Sequence, residues 1–544
     1  MRESSHFIRN IILDDLENKV VDGIVTRFPP EPNGLLHIGH VKAITINFDL
    51  AKEFGGYTYL RFDDTNPEKE DERFVRLIQE DIKWLGFEPV EVRYASDYFE
   101  EMYERALILI KKGLAYVDDT SPEDMRSQRG TLTEPGTESP RRDRPIEESL
   151  DLFERMKAGE FDEGSVVLRA KIDMASPNMN LRDPVIYRIV HEPHYRTGDK
   201  WHIYPMYDFA HPLEDYVERI THSLCSLEFE NNRPLYDWYI DNTDVEFKPR
   251  QFEFAKLNIT GAIIGKRNIL KLVEDGLIDG WDDPRLLTVS GMRRRGYTPE
   301  GIKAFIRETG VSKENSITEF HQLEHFIRED LKLTAPRIMA VLDPVKVVIT
   351  NWDKGVEWLP AENNIENPDL GEREMPFGRE LYIEREDFME VPAKRFRRLS
   401  LGEEVRLKYG YFIKANEVVK DDEGNILEIH CTYDPATKSG SGFEERKPKG
   451  TIHWVEASHA VEAKVLRYSQ LLKGENFDAQ IPLEEQVDPD SVQEYRAFIE
   501  PIVEGSKPFD RFQFYRHGYF SVDPKHTEEL TFNEVVSMKS SYRP

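Results

Sequence analysis

Residues 27–62, RFPPEPNGLLHIGHVKAITINFDLAKEFGGYTYLRF, constrain the fold more than any other stretch of the chain. A short apolar run at 23–28 stops at Pro29-Pro30, which can continue neither a strand nor a helix interior. A loop then delivers Pro32-Asn33-Gly34 just ahead of His37-Ile38-Gly39-His40. Beyond His40 the apolar residues Val41, Ile44, Phe48 and Ala51 recur at helical spacing, and Gly55-Gly56 supplies a C-terminal stop. The order is therefore strand, turn, helix, with both histidines at the helix start. A helix N-terminus offers unpaired N–H groups and the positive end of the macrodipole, so phosphate is its natural occupant.

Residues 57–62 read as a second strand, and Asp63-Asp64 follow at its C-terminal end, where open α/β sheets bind ligands. The stretch FVRLIQEDIKWLGF reads as an amphipathic helix closed by Gly86. Residues 91–95 read as a third strand candidate, with Ser96 or Asp97 expected to cap the helix that runs to Lys112. This βαβα beginning predicts a parallel sheet. From Ala115 to about His202 the text is richer in charge, Pro and Gly, with RGTLTEPGTESPRRDRP as a loop and VVLRAKIDM as an isolated strand, which suggests an insertion. The apolar pattern resumes at IYPMYDFAHPLEDYVERITHSLCSLEF as strand then helix. Residues 252–272 hold a turn with Gly261 and Gly265 ahead of Lys266-Arg267, and 281–335 is helix-rich, with Ile302, Phe305 and Ile306 on one face. After Pro336, short β-rich runs separated by turn residues predict two small barrels rather than one over about two hundred residues.

A chain of 544 residues is too long for one core and suggests about three to five domains. No run of eighteen apolar residues exists, which excludes a spanning helix, and residues 1–19 lack the positive segment and apolar core of a signal peptide. Two cysteines, Cys225 and Cys431, cannot build a disulfide framework or a cysteine-rich zinc site, so the cytoplasm is the expected compartment. The net charge of −29 argues weakly against nucleic acid, because phosphate neutralisation normally calls for a basic face. The dense basic groups Arg141-Arg142-Asp143-Arg144, Arg293-Arg294-Arg295 and Lys394-Arg395-Phe396-Arg397-Arg398 still allow a defined track.

The histidine pair has a coherent chemistry. Imidazoles near a helix N-terminus can donate hydrogen bonds to phosphate oxygens as charge builds on the α-phosphorus, and Gly39 lets a nucleotide approach the backbone. A lysine such as Lys266 on a glycine-containing loop can close on departing pyrophosphate. Cys225 reads as a small hydrophobe, and Glu31, Asp63 and Tyr207 as polar groups at loop or strand ends. Ser537-Met538-Lys539-Ser540-Ser541 imitates an ATP-loop signature but lies in the β-rich tail.

The fragments TRFPPEPNGLLHIGH, LRFDDTNP, YVDD, RGTLTEPG, LRAKIDMASP, YPMYDF, THSLCSLEF, WDDPR and GMRRRGYT together resemble the glutaminyl-tRNA synthetases, class I aminoacyl-tRNA synthetases, over about 7–523. The resemblance implies an α/β Rossmann-type catalytic domain with an inserted α+β acceptor-binding domain, a helical subdomain and two C-terminal β-barrels. The implied boundaries are 1–96 with 207–256 for the split catalytic domain, 97–206 for the insertion and 257–335 for the helical subdomain with the lysine loop. A proximal barrel takes 336–381 with 457–544, and a distal barrel takes 382–456.

The same resemblance implies His37, His40 and Lys266 as catalytic residues, and an ATP site of Pro30, Glu31, Pro32, Asn33, His37, Gly39, His40, Leu257, Ile264, Gly265 and Lys266. It implies a glutamine pocket of Arg27, Glu31, Asp63, Tyr207 and Cys225, with Asp63 positioned for the α-ammonium, and anticodon contacts from Arg337, Arg398, Arg406, Gln513 and Arg516. The expected partners are ATP, L-glutamine and glutamine tRNA, with Mg2+ arriving on the nucleotide and no dedicated protein metal site. The chain is expected to act as a monomer away from membranes.

Two departures bear on alternatives. The β-barrel type of glutamyl-tRNA synthetase typically reads THALR where this chain reads THSLC, and an arginine there suits a substrate carboxylate whereas Cys225 does not. The ATP loop of relatives usually reads Met-Ser-Lys, and here it is Ile264-Gly265-Lys266, which leaves a weakened, non-catalytic tRNA-binding paralogue as a further alternative. A small-substrate nucleotidylyltransferase would need no anticodon barrels.

Overall fold

Strand Val25–Phe28 is buried along its whole length because it is an inner strand of a parallel sheet. It pairs with Tyr57–Phe62, which pairs in turn with Val92–Tyr94, and the helices Ile38–Glu53 and Glu72–Trp84 are the crossovers. On its other side the Val25 N–H donates to the Thr221 hydroxyl at 2.9 Å and the Thr221 N–H donates to the Val25 carbonyl at 3.0 Å. These bonds set strand His222–Ser226, itself parallel to Arg250–Phe254, beside the first strand. Gly56 is required where the chain enters the second strand, since a Cβ there would lie 1.9 Å from the Ile24 carbonyl oxygen.

This computed structural model describes residues 6–263 and 265–538, and the chain divides into two compact units, Met1–Asn258 with Ile306–Thr318 and Ile259–Phe305 with Glu319–Pro544. Within the first unit, helix Phe99–Lys111 is not capped by Ser96 or Asp97. A 3-10 turn, Ala95–Tyr98, precedes it, and the Ser96 N–H and hydroxyl are turned onto Asp64 instead.

The segment read as an isolated strand is not isolated. Val167–Ala170 is an inner strand of a four-stranded antiparallel sheet, between Ala115–Asp118 and Val185–Ile189, with Ile203–Pro205 on the far edge. Its partners are three to five residues long, too short to show alternation in the sequence. Phe153, Met156, Tyr187, Trp201 and Tyr204 fill the core between this sheet and the helices Phe99–Lys111 and Ile146–Lys157.

The second unit carries helices Lys266–Glu274, Val289–Arg295 and Phe320–Thr334 and two barrel-like seven-stranded sheets. One sheet runs from Arg337–Ile338 through Arg511–Phe514, Gly518–Val522, Thr531–Ser537, Val461–Tyr468 and Val492–Ile499 to Ala340–Val341. The other contains Pro344–Ile349 between Ile426–Asp434 and Glu380–Glu384. Strand Pro344–Ile349 therefore shares a sheet with strands of 382–456, and not with 457–544 to which the expected boundary joins it. The proximity of 344–349 to Pro336 in sequence does not reveal this long-range pairing. Trp352, Phe377 and Trp454 fill one barrel, and Phe514, Phe520 and Phe532 the other. Among the described residues no helix is long and apolar enough to cross a membrane.

Candidate active site

His37 is the N-cap of helix Ile38–Glu53, and His40 occupies the third helical position. The two imidazoles form a reciprocal capping box. The Gly39 N–H donates to His37 Nδ1 at 3.1 Å and the His37 N–H donates to His40 Nδ1 at 3.1 Å. The His37 and Gly39 N–H groups, which the sequence leaves unpaired at the helix start, are thus taken by the two side chains. Burial depresses His37 to a pKa of about 4, and burial with its His37 neighbour depresses His40 to about 3. Both rings are neutral at pH 7, and because each Nδ1 accepts, each ring proton sits on Nε2. The pair presents two Nε2–H donors on rings whose centroids lie 3.8 Å apart. Gly39 has a local reason as well, since a Cβ would lie 2.9 Å from His37 Cε1 and push that ring aside.

The approach loop is held by backbone bonds. The Asn33 N–H donates to the Glu31 carbonyl at 2.9 Å, Asp63 N–H to Pro30 at 3.0 Å and Asp71 N–H to Pro32 at 3.0 Å. Pro30 and Pro32 are buried, while Glu31 is exposed and accepts a hydrogen bond from the Asn33 side chain. Leu257 is buried just past strand Arg250–Phe254.

Asp63, at the end of strand Tyr57–Phe62, is buried and raised to a pKa of about 6, chiefly by burial and further by Glu31 and Asp64, against a hydrogen bond from Thr65. Its neighbour Asp64 has a different task. It accepts from the Ser96 N–H at 2.8 Å, the Ser96 hydroxyl at 2.7 Å and the Tyr195 hydroxyl at 3.1 Å, tying the sheet to the inserted segment.

Arg27 is fully buried. It donates to Asp215 at 3.1 Å, Ser223 at 2.6 Å and the Leu224 carbonyl at 3.0 Å, and its Nη2 lies 4.0 Å from the Cys225 sulfur. Cys225 is thus not a simple hydrophobe in an apolar wall. Its Sγ sits between Arg27 and His211, whose Nε2 is 3.8 Å away, and burial pushes the thiol up to about 11 so that it stays neutral. Tyr207 begins helix Tyr207–Val217 and stacks on His211 with ring centroids 5.1 Å apart. Burial raises its hydroxyl well above the phenol range, with Cys225 and Asp63 adding to the rise and Arg27 opposing it. Arg27, Asp63 and Cys225 therefore all lie within electrostatic reach of Tyr207.

The remaining expected residues belong to the second unit. Gly265 is the N-cap of helix Lys266–Glu274, so exposed Lys266 sits on a helix start and not in an extended loop, while Ile264 lies outside the described residues. Arg337 and Gln513 are paired in register on adjacent parallel strands, and Arg337 Nε donates to Gln513 Oε1 at 2.9 Å. Arg398 and Arg516 meet on the buried carboxylate of Asp387, with Arg516 bonds of 2.8 and 2.9 Å. Arg406 stands apart. Its guanidinium donates to the Gly410 and Thr437 carbonyls and to Ser439, and stacks 4.3 Å from the Phe412 ring.

The family described as tRNA synthetases class I (E and Q), catalytic domain, matches residues 23–333, which include the histidine pair, Asp63 and Cys225. The chain belongs to this family. The class I (E and Q) anticodon-binding domains match residues 335–434 and 451–523 of this class I synthetase, the stretches that hold all but strand Thr531–Ser537 of its two barrel-like sheets. It is 58% identical to the Glutamine--tRNA ligase of Clostridium perfringens and 56% identical to that of Clostridioides difficile, in both cases over 99% of each chain. With the Clostridium kluyveri enzyme of the same name it shares 53% identity over 99% of this chain and 98% of that one.

Sequence reasoning missed a buried charge cluster beside Arg27 in this synthetase. Arg61 pairs with Glu214 at 2.9 Å, Asp215 at 2.9 Å and Glu218 at 2.8 Å, all buried, and the Tyr236 hydroxyl donates to Asp215 at 2.9 Å. The signal was present in LEDYVER, where Glu214, Asp215 and Glu218 fall on one face of a helix that also carries Phe209 and Leu213 inward.

Proposed function

We infer that the protein uses ATP to ligate glutamine to the 3′ end of glutamine tRNA through a glutaminyl-adenylate. Full-length identity to curated glutamine ligases supports the activity, and one feature of the pocket supports glutamine over glutamate. Arg27 is the cation that acts on Cys225 among the described residues, its charge is neutralised by Asp215, and the thiol is neutral. A substrate amide can be accommodated there, whereas a substrate carboxylate would add an uncompensated buried charge.

In the proposed mechanism Asp63, ionised above its pKa of about 6, receives the α-ammonium, and Tyr207, Cys225 and Arg27 border the side chain. The glutamine carboxylate attacks the α-phosphorus and pyrophosphate leaves. The Nε2–H donors of His37 and His40 hydrogen-bond the oxygens on which negative charge accumulates, and their neutrality spares the site a proton that would be lost between pH 6 and 8. Pro30, Glu31, Pro32, Asn33, Gly39, Leu257, Ile264 and Gly265 are proposed to border the nucleotide, and Lys266 to meet the departing pyrophosphate. A ribose hydroxyl of the terminal adenosine, the 2′-hydroxyl in class I, then attacks the adenylate carbonyl and releases AMP. Mg2+ is proposed to enter on the nucleotide, since N–H donors such as those of His37 and His40 cannot ligate a metal. Arg337, Gln513, Arg398 and Arg516 are proposed to meet the anticodon, with Arg406 contributing through its stacked face. The domain boundaries are proposed as in the sequence analysis, with 344–381 moved to the distal barrel, and the enzyme is proposed to act as a cytoplasmic monomer.

Replacing His40 with Ala tests whether this is an enzyme or only a tRNA binder. The reading requires loss of adenylate chemistry with tRNA affinity nearly intact. Unchanged charging by the variant would defeat it.

A further inference from the structure

We propose that the second unit contains a divalent-metal site, of a class suited to Zn2+, formed by Glu384, His453 and His517. Their ligand atoms all lie within 4.8 Å of one another. Glu384 ends strand Glu380–Glu384, His453 lies between the short strands Thr451–Ile452 and Val455–Glu456, and His517 occupies the turn between Arg511–Phe514 and Gly518–Val522. The first two belong to one seven-stranded sheet and the third to the other, so the ion would join the two barrels.

His453 carries the inference. Its side chain is fully buried, yet neither ring nitrogen has a hydrogen-bond partner, although a neutral imidazole has both an N–H to donate and a lone pair to fill. The Nε2 faces Glu384 Oε1 at 3.4 Å, and His517 Nε2 lies 2.7 Å from the same oxygen. Zn2+ held at about 2.0–2.1 Å by tetrahedral ligands separates donor atoms by about 3.3 Å, a spacing these two distances bracket. An ion here would occupy the orphaned His453 lone pair and replace the proton shared between Glu384 and His517. The surrounding groups already orient the carboxylate as a ligand, since the Leu342 N–H donates to Oε1 at 2.8 Å and the Asp343 N–H to Oε2 at 3.0 Å. Two imidazoles and one carboxylate favour a borderline ion over Mg2+ or Ca2+, and leave a fourth position for water.

The test uses untagged full-length protein, stripped with chelator and equilibrated with Zn2+ alone, with bound metal read by elemental analysis after dialysis. About one Zn2+ per chain is expected, falling at least about tenfold in both His517→Ala and Glu384→Gln, and Zn2+ should raise the Tm of the parent but of neither variant. Should a variant fail to fold, Co2+ added to the parent decides, because four-coordinate nitrogen and oxygen ligation gives intense visible d–d bands. A parent that binds no more Zn2+ than its variants, a variant that retains the full equivalent, or Co2+ with only the weak spectrum of the hydrated ion would each overturn the proposal.

Discussion

At the level of single residues, the two histidines are specified by what each Nδ1 accepts. His40→Ala removes one Nε2–H donor and also the cap of the His37 N–H, so kcat for adenylate formation should fall about 10²–10³-fold while tRNA affinity changes little. Gly39→Ala should lower activity through the displaced His37 ring while the chain stays folded, which crystallography of the variant would show directly. Asp63 gives the site a pH dependence. Its folded pKa of about 6 lies above the usual value, so it takes up a proton as pH falls through 6 and loses the charge that its proposed contact with the α-ammonium needs. The KM for glutamine should therefore rise about tenfold per unit below pH 6, and a KM flat from pH 7 to 5 would exclude that role. Folding stability follows the opposite sign for this group. The folded state binds more protons than the unfolded state between about pH 4 and 6, so Asp63 contributes stability at low pH that is lost as pH rises through that window. The depressed histidines act in reverse, contributing stability above pH 6.5 that is lost as pH falls toward 4. The sequence made His37, His40 and Asp63 visible through their neighbours in the chain. It could not show that Arg27 is neutralised by Asp215, because those residues are 188 positions apart and meet only when the sheet closes.

At the level of elements, the pattern of apolar spacing revealed the long helices and the first three parallel strands, whose crossovers are regular. It failed where strands are short. The four-stranded insertion is built from pieces of three to five residues whose partners are distant, and only burial of Phe153, Tyr187 and Trp201 against them makes a sheet. Asp64 fastens that insertion to the parallel sheet through the Tyr195 hydroxyl on its buried carboxylate, which two further bonds from Ser96 hold in place. Asp64→Ala should cost about 2–4 kcal/mol by leaving the Ser96 N–H and the Ser96 and Tyr195 hydroxyl protons without this acceptor, and a fall in Tm with an unchanged KM for glutamine would separate this role from the one proposed for Asp63. An Asp64→Ala protein as stable as the parent would show that the insertion is held by its apolar core alone.

At the level of the whole molecule, an acidic protein concentrates its RNA-binding expectation in a few arginines of the barrels. Arg398 and Arg516, which are proposed to meet the anticodon, are both held on Asp387, which fixes their direction. Arg516→Ala should lower kcat/KM for tRNA about 10–100-fold, and the loss should shrink on a tRNA whose anticodon is already altered. An equal loss on every tRNA would assign Arg516 to backbone attraction. Neither result touches the central claim, which is the choice of amino acid at Cys225 and a neutralised Arg27. The most direct measurement is charging of glutamine tRNA by the purified protein with ATP and either glutamine or glutamate, each at several concentrations. Glutaminyl-tRNA with at least about 10³-fold preference in kcat/KM is the predicted result, and glutamyl-tRNA formed in the absence of any glutaminyl product would contradict it.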